Sequence, residues 1–84
     1  MKITLKLFAS LAVHLPPEAR TRHTVELEVE PGATVADLIR RQGLSPAQCA
    51  IVLVDGAWVP LAERETRVLL EGQALAIWPP VAGG

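Results

Sequence analysis

The chain has very little with which to do chemistry by itself. Its single cysteine, Cys49, excludes an internal disulfide and agrees with a reducing compartment. No uninterrupted apolar run approaches the roughly 20 residues needed to cross a bilayer, so no transmembrane helix or membrane partner is expected although half the residues are hydrophobic. Eight Lys plus Arg against nine Asp plus Glu give a net charge of −1, which leaves no electrostatic footprint for nucleic acid. The basic residues come in ones and twos (Arg20 with Arg22, Arg40-Arg41, Arg64 with Arg67) and read as solvated faces. There is no Ser-His-Asp set, no Cys-His pair with a credible base and no metal-ligand spacing. His14 and His23, far apart in or beside loops, are expected at the surface, and Cys49 beside Ala50 and Ile51 reads as a small buried hydrophobe. Independent turnover, a bound cofactor and a metal site are therefore not expected.

What is present is a clear order of elements. At 84 residues there is room for one core. Met1-Lys2-Ile3-Thr4-Leu5-Lys6 alternates like a strand and unlike a signal peptide, which predicts a cytoplasmic protein. Residues 23–30 repeat the period of two. Paired as an antiparallel hairpin, the two strands put Val25, Leu27 and Val29 with Ile3, Leu5 and Leu7 on the core side, and Glu26 and Glu28 facing Lys2 and Lys6 on the solvent side.

Pro31-Gly32 closes the second strand. Thr34 followed by Asp37 reads as an N-cap with its acidic partner, and Val35, Leu38 and Ile39 give a short helix one apolar face. Arg40-Arg41 and Gly43 suit its C-terminus, and Ser45-Pro46 opens a further short turn. Ile51-Val52-Leu53-Val54 is a continuously apolar strand, covered on both sides or carrying an apolar outer face. Asp55-Gly56 turns it into Ala57-Trp58-Val59, and after a polar, turn-rich stretch the last strand is Ala74-Leu75-Ala76-Ile77-Trp78. Strands flanking one helix, without a repeating βαβ unit, predict an α+β domain over residues 1–78.

Residues 79–84 form a different object. Pro79-Pro80 stiffens a spacer that ends in Val81-Ala82-Gly83-Gly84. In polyproline-like geometry this tail would reach on the order of 18 Å from the body. Glycine, lacking Cβ, suits a chain that threads a narrow channel, which points to chemistry at the Gly84 carboxylate. On the last strand, Trp78 shares a face with Ala74 and Ala76 at the base of that tail, so Trp78 and Ala76 are candidate partner-interface residues.

Leu7-Phe8-Ala9-Ser10-Leu11, the run from Pro31 to Leu38, Val54-Asp55-Gly56, and above all the run from Glu71 to Gly84 resemble the small sulfur-carrier proteins of the MoaD/ThiS family. The resemblance spans nearly the whole chain. It implies the ubiquitin-like β-grasp fold, with a mixed sheet of four to five strands packed on one main helix. The Pro-Pro-Val-Ala-Gly-Gly ending looks closest to the small subunit of molybdopterin synthase. Asp55 and Gln73 stand where the family commonly has Asn and Asp, both in turns that accept such exchanges.

What the resemblance implies is a carrier acting as co-substrate. An adenylating, ubiquitin-activating-type enzyme uses ATP on the Gly84 carboxylate, sulfur replaces AMP, and the thiocarboxylate donates sulfur to an acceptor. A free carboxylate is a poor acyl donor, and the adenylate supplies the leaving group. Pro79, Pro80, Val81, Ala82 and Gly83 would thread the tail into a synthase large subunit or another acceptor for the dithiolene of a molybdenum or tungsten cofactor. Sulfur delivery to thiamine, cysteine or tRNA, protein modification through Gly84, and a non-covalent β-grasp interaction module remain open alternatives at this point.

Overall fold

The computed structural model describes residues 1–81. Its centre is a five-stranded mixed sheet in the order β2-β1-β5-β3-β4. The strands are β1 (Lys2–Leu7), β2 (Thr24–Glu28), β3 (Ile51–Val54), β4 (Ala57–Trp58) and β5 (Ala74–Trp78), with one α-helix, α1 (Val35–Arg41). The expected α+β architecture is therefore observed, with five strands.

Alternation in β1 does what a period of two requires, burying Ile3, Leu5 and Leu7 and leaving Lys2 outward. The antiparallel register with β2 sets Lys2 opposite Glu28, Ile3 opposite Leu27 and Leu5 opposite Val25. Glu26 lies opposite Thr4 and not Lys6, whose own partner is Thr24. Glu28 instead meets the amino terminus, 3.4 Å from the Met1 ammonium. Because β2 is an edge strand, Val25 and Leu27 are only half-buried against the core.

The helix starts where the sequence predicts. Thr34 Oγ1 accepts the Asp37 N–H at 3.1 Å while Asp37 Oδ2 accepts the Thr34 N–H at 3.0 Å, a complete capping box. The next two orphan donors are met from a distant loop: Val35 N–H donates to the Arg67 carbonyl at 3.0 Å and Ala36 N–H to the Arg64 carbonyl at 2.9 Å. At the other end Gly43 takes φ +77°, and Leu44 N–H returns to the Ile39 carbonyl at 3.1 Å. Val35, Leu38 and Ile39 thus join Leu5, Leu7, Val52, Val54, Leu69, Leu75 and Ile77 in one core.

The last strand occupies the middle of the sheet. β5 runs parallel to β1, with Leu5 beside Leu75, and antiparallel to β3, with Val52 beside Ile77. Asp55 ties the β3–β4 turn to this strand: its N–H donates to the Ala74 carbonyl at 2.9 Å and its Oδ1 accepts the Ala74 N–H at 2.7 Å. Both turn residues have positive φ, 48° at Asp55 and 83° at Gly56, which is the geometry a two-residue hairpin of this hand demands.

Three features differ from the sequence reading. The segment after β1 is a 3-10 helix over Ala9–His14, followed by another over Pro17–Ala19, and these bury Leu11, Leu15 and Ala19. His23 is half-buried with φ +59°, its Nδ1 donating to the Leu7 carbonyl at 3.2 Å, because it closes the β1–β2 connection. Arg64, read with Arg67 as a solvated face, is buried at 6% exposure, since its backbone is pulled under α1 by the Ala36 hydrogen bond. Cys49 is buried as expected.

Candidate functional site

The register of the sheet builds an apolar field on the face away from the core. Leu53 stands opposite both Ala76 and Trp58, and Ile51 stands opposite Trp78. Partners in a ladder point to the same side of a sheet, so these five side chains share the outer surface. The Ile-Val-Leu-Val run is therefore a strand with an apolar outer face: Val52 and Val54 are buried, while Ile51 remains 40% exposed. Trp58, on edge strand β4, is 54% exposed. A contiguous apolar surface of this kind marks an interaction site more often than two isolated hydrophobes do.

Phe8 extends this field toward β1. Its N–H donates to the Ile77 carbonyl at 3.1 Å, which sets the ring beside Trp78. The two rings stack with centroids 4.3 Å apart and an interplanar angle of 7°, and His23 stacks on Phe8 at 5.4 Å and 25°. Stacks of this kind contribute about 0.5–1.5 kcal/mol beyond the area buried. Trp78 is consequently half-buried and held in one orientation, and the small Ala76 beside it leaves room for close approach. The Phe8 contribution was not legible as part of the site, because Phe8 lies beyond the regular pattern of β1 and 70 positions from Trp78.

Across β1 and β2 the same surface turns polar. Lys6 lies beside Ala76 in the ladder and opposite Thr24, with Lys2, Glu26 and Glu28 farther along. The outer face is thus divided into an apolar half on β5, β3 and β4 and a charged half on β1 and β2. Such a division offers an apolar centre with a polar flank.

The chain leaves the sheet from the apolar half. After β5 ends at Trp78, Pro79 is half-buried, Pro80 is exposed and Val81 is 79% exposed. Ala82, Gly83 and Gly84, the remaining residues of the expected threading segment and its reactive end, lie outside the described residues. Among the described residues, no group of three or more His, Cys, Asp or Glu is placed to hold a metal ion. No helix among them is long and apolar enough to cross a membrane. The Cys49 thiol is raised above its ordinary value of 9.0 by burial, with the Arg64 charge opposing that shift.

Comparison with known proteins agrees with this arrangement. The ThiS family pattern matches residues 13–84. Among curated proteins no relative matches the sequence. Among solved structures, the chain is similar to SAMP1, small archaeal modifier protein 1 of Haloferax volcanii, at 30% identity over 100% of both chains with a TM-score of 0.66. A putative molybdopterin converting factor, subunit 1, from Pyrococcus furiosus shares the fold at 24% identity, covering 96% of this chain and 99% of that one, with a TM-score of 0.64. Subunit 1 in the complex of subunits 1 and 2 of the molybdopterin-converting factor from Helicobacter pylori shares it at 13% identity over 100% of both chains, with a TM-score of 0.60. The family match over residues 13–84 and the full-length likeness to SAMP1 show that the chain belongs to the ThiS family, within the MoaD/ThiS group of ubiquitin-like β-grasp sulfur carriers and modifiers.

Proposed function

We propose that this protein carries sulfur as a thiocarboxylate on Gly84 and delivers it for the dithiolene of molybdopterin. The observation that carries the reading is the juxtaposition of a family-matched Gly-Gly tail with the apolar, aromatic end of the sheet from which that tail departs. In this reading Trp78, Ala76, Ile51, Leu53 and Trp58 dock a partner, and residues 79–83 lead Gly84 into the partner's active site. The domain contributes binding and positioning. The partners contribute the chemistry.

The acyl chemistry needs two partners in turn. An adenylating enzyme joins the Gly84 carboxylate to AMP from ATP with release of pyrophosphate. A sulfur nucleophile then displaces AMP; the thiocarboxylate sulfur bonds to the acceptor, and water cleaves the acyl–sulfur bond, leaving the sulfur on the acceptor and Gly84 as a carboxylate. Binding the folded domain outside while the tail lies inside orients the reacting group, which lowers the entropic part of the barrier. The tail enters a synthase large subunit, where the pterin precursor is the acceptor; that subunits 1 and 2 of the Helicobacter pylori converting factor form a complex supports such a partnership by analogy. We place the protein in the cytoplasm, in keeping with its one unpaired cysteine.

Similarity to a small archaeal modifier supports a second reading, in which activated Gly84 is joined to lysine amines of other proteins. Reconstitution separates the two. With an adenylating enzyme, ATP, a sulfide donor, a synthase-type large subunit and the pterin precursor, the full chain should support dithiolene formation and a chain lacking Gly84 should not. Isopeptide-linked products without dithiolene would favour the modifier reading. Dithiolene formation by the chain lacking Gly84 would refute the proposal.

A further inference from the structure

Charge on the outer face of the sheet is sorted along the strands. β1 and β5 run parallel and β2 runs against them, so Lys6, Thr24 and Trp78 lie at the end from which the tail departs, and Lys2, Glu28 and Ala74 at the other. Glu26 and Glu28 stand toward that far end, opposite Thr4 and Lys2, and Glu28 is 3.4 Å from the Met1 ammonium. Among the described residues of this face, Lys6 is the charged one at the tail end of the ladder.

Lys6 has no acid of its own. Its ladder neighbours are Thr24 on one side and Ala76 on the other. Glu26, diagonal to it on β2, is close enough for a long side chain to reach. Yet among the described residues the ion pairs are those of Met1 with Glu28 and of Arg40 with Asp37 and Glu65. Lys6 is nonetheless half-buried, at the line where the apolar half of the face begins. A partner that covers Ala76 and Trp78 removes more water from it. A charge that is desolvated and left unpaired is costly, so an apolar surface laid over Lys6 is penalised and a carboxylate at the same point is not.

We propose, on the strength of the docking reading above, that Lys6 selects the partner: a protein that covers the apolar half of the face and sets an Asp or Glu carboxylate against the Lys6 ammonium, beside the entrance that takes the tail. Apolar contact is non-directional and leaves the orientation of the domain on that partner open. The sorted charges close it. Turned end for end, the partner's carboxylate would meet Glu26 and Glu28, and the tail would point away from the entrance. Lys6 is in this sense a specificity-determining residue and takes no part in the acyl chemistry.

The test is surface plasmon resonance of the full chain over the immobilised synthase-type large subunit of the same host, at low and at high sodium chloride. Lys6→Glu should slow association by about tenfold at low salt, and the gap should narrow at high salt. Lys6→Met keeps the stem and loses the charge; it should be intermediate, with a shallower salt dependence than the parent. Because Lys6 faces outward, thermal melts of the free variants should match the parent, which separates selection from a structural role. The exchange Lys6→Glu with Glu26→Lys preserves net charge and moves the cation down the face, and it should stay slow. Recovery of the parent rate by that exchange, or association of Lys6→Met as fast as the parent at both salt concentrations, would overturn the proposal. If Trp78→Ala weakens binding while Lys6→Glu does not, charge selection fails and the docking reading stands. A parent chain that does not bind at all would overturn both.

Discussion

Leu5 and Leu27 both face the core from neighbouring strands, yet truncating them should have different consequences. Leu5 is fully buried on β1, between β2 and β5, and its ladder neighbours are Val25 and Leu75. Strands on both sides fix the backbone, so the space left by Leu5→Ala cannot collapse, and the loss should fall in the upper part of the usual range, about 3–5 kcal/mol. Leu27 sits on edge strand β2 and is only half-buried, so Leu27→Ala removes less buried area and leaves a site open to solvent and to strand adjustment. Its loss should be about 1–2 kcal/mol, below the value that a fully buried leucine would give. For a domain of this length, total stability at roughly 0.05–0.15 kcal/mol per residue is about 4–13 kcal/mol, so the first change threatens folding and the second does not. Guanidinium chloride unfolding of both variants and the parent, with the slope held common, measures the difference. Equal losses, or a larger loss at Leu27, would refute the argument that edge position and not facing alone sets the cost.

Other outcomes follow from the same geometry. Trp78→Ala removes the stack on Phe8 and should cost about 1–2 kcal/mol of stability in thermal melts, with a larger proportional loss of binding to a synthase-type large subunit in calorimetry. A loss of stability with unchanged binding would reassign Trp78 to packing. The Thr34 amide, and then the Arg40 guanidinium, hold the Asp37 carboxyl below its ordinary value of 3.8. With the folded value depressed, the contribution of Asp37 is present above the unfolded value and disappears as pH falls through the folded one. Asp37→Asn should therefore flatten the acid limb of the stability curve below about pH 4 and leave its shape near neutrality alone. Cys49, buried and with its thiol raised, should resist alkylation by iodoacetamide in the native protein and react on unfolding.

The sequence made some parts of this fold readable and concealed others for physical reasons. Alternation in β1 and β2, the Thr34–Asp37 capping box and the Asp55-Gly56 turn are local codes, satisfied by residues within a few positions of one another, and all three are realised. The parallel pairing of β1 with β5 is set by tertiary packing across about 70 positions, which no local period records. Ala9–His14 hid its 3-10 helix because it shows neither a period of two nor a sustained 3.6-residue pattern. Trp78 and Ala76 could be put on one strand face from spacing alone, but Phe8, Ile51 and Leu53 joined them only once the strand order was known. Arg64 was the most misleading residue. A charged side chain in a polar, turn-rich stretch reads as solvated, and only the hydrogen bond from Ala36 to its carbonyl reveals why it lies under the helix.

The central claim concerns one atom at the end of the chain, and intact mass spectrometry of the protein recovered from its native host tests it most directly. A subpopulation heavier by the difference between one sulfur and one oxygen, localised by fragmentation to Gly84, is the predicted result. A carboxylate at Gly84 in every molecule, persisting after incubation with the activating enzyme, ATP and a sulfide donor, would contradict the account.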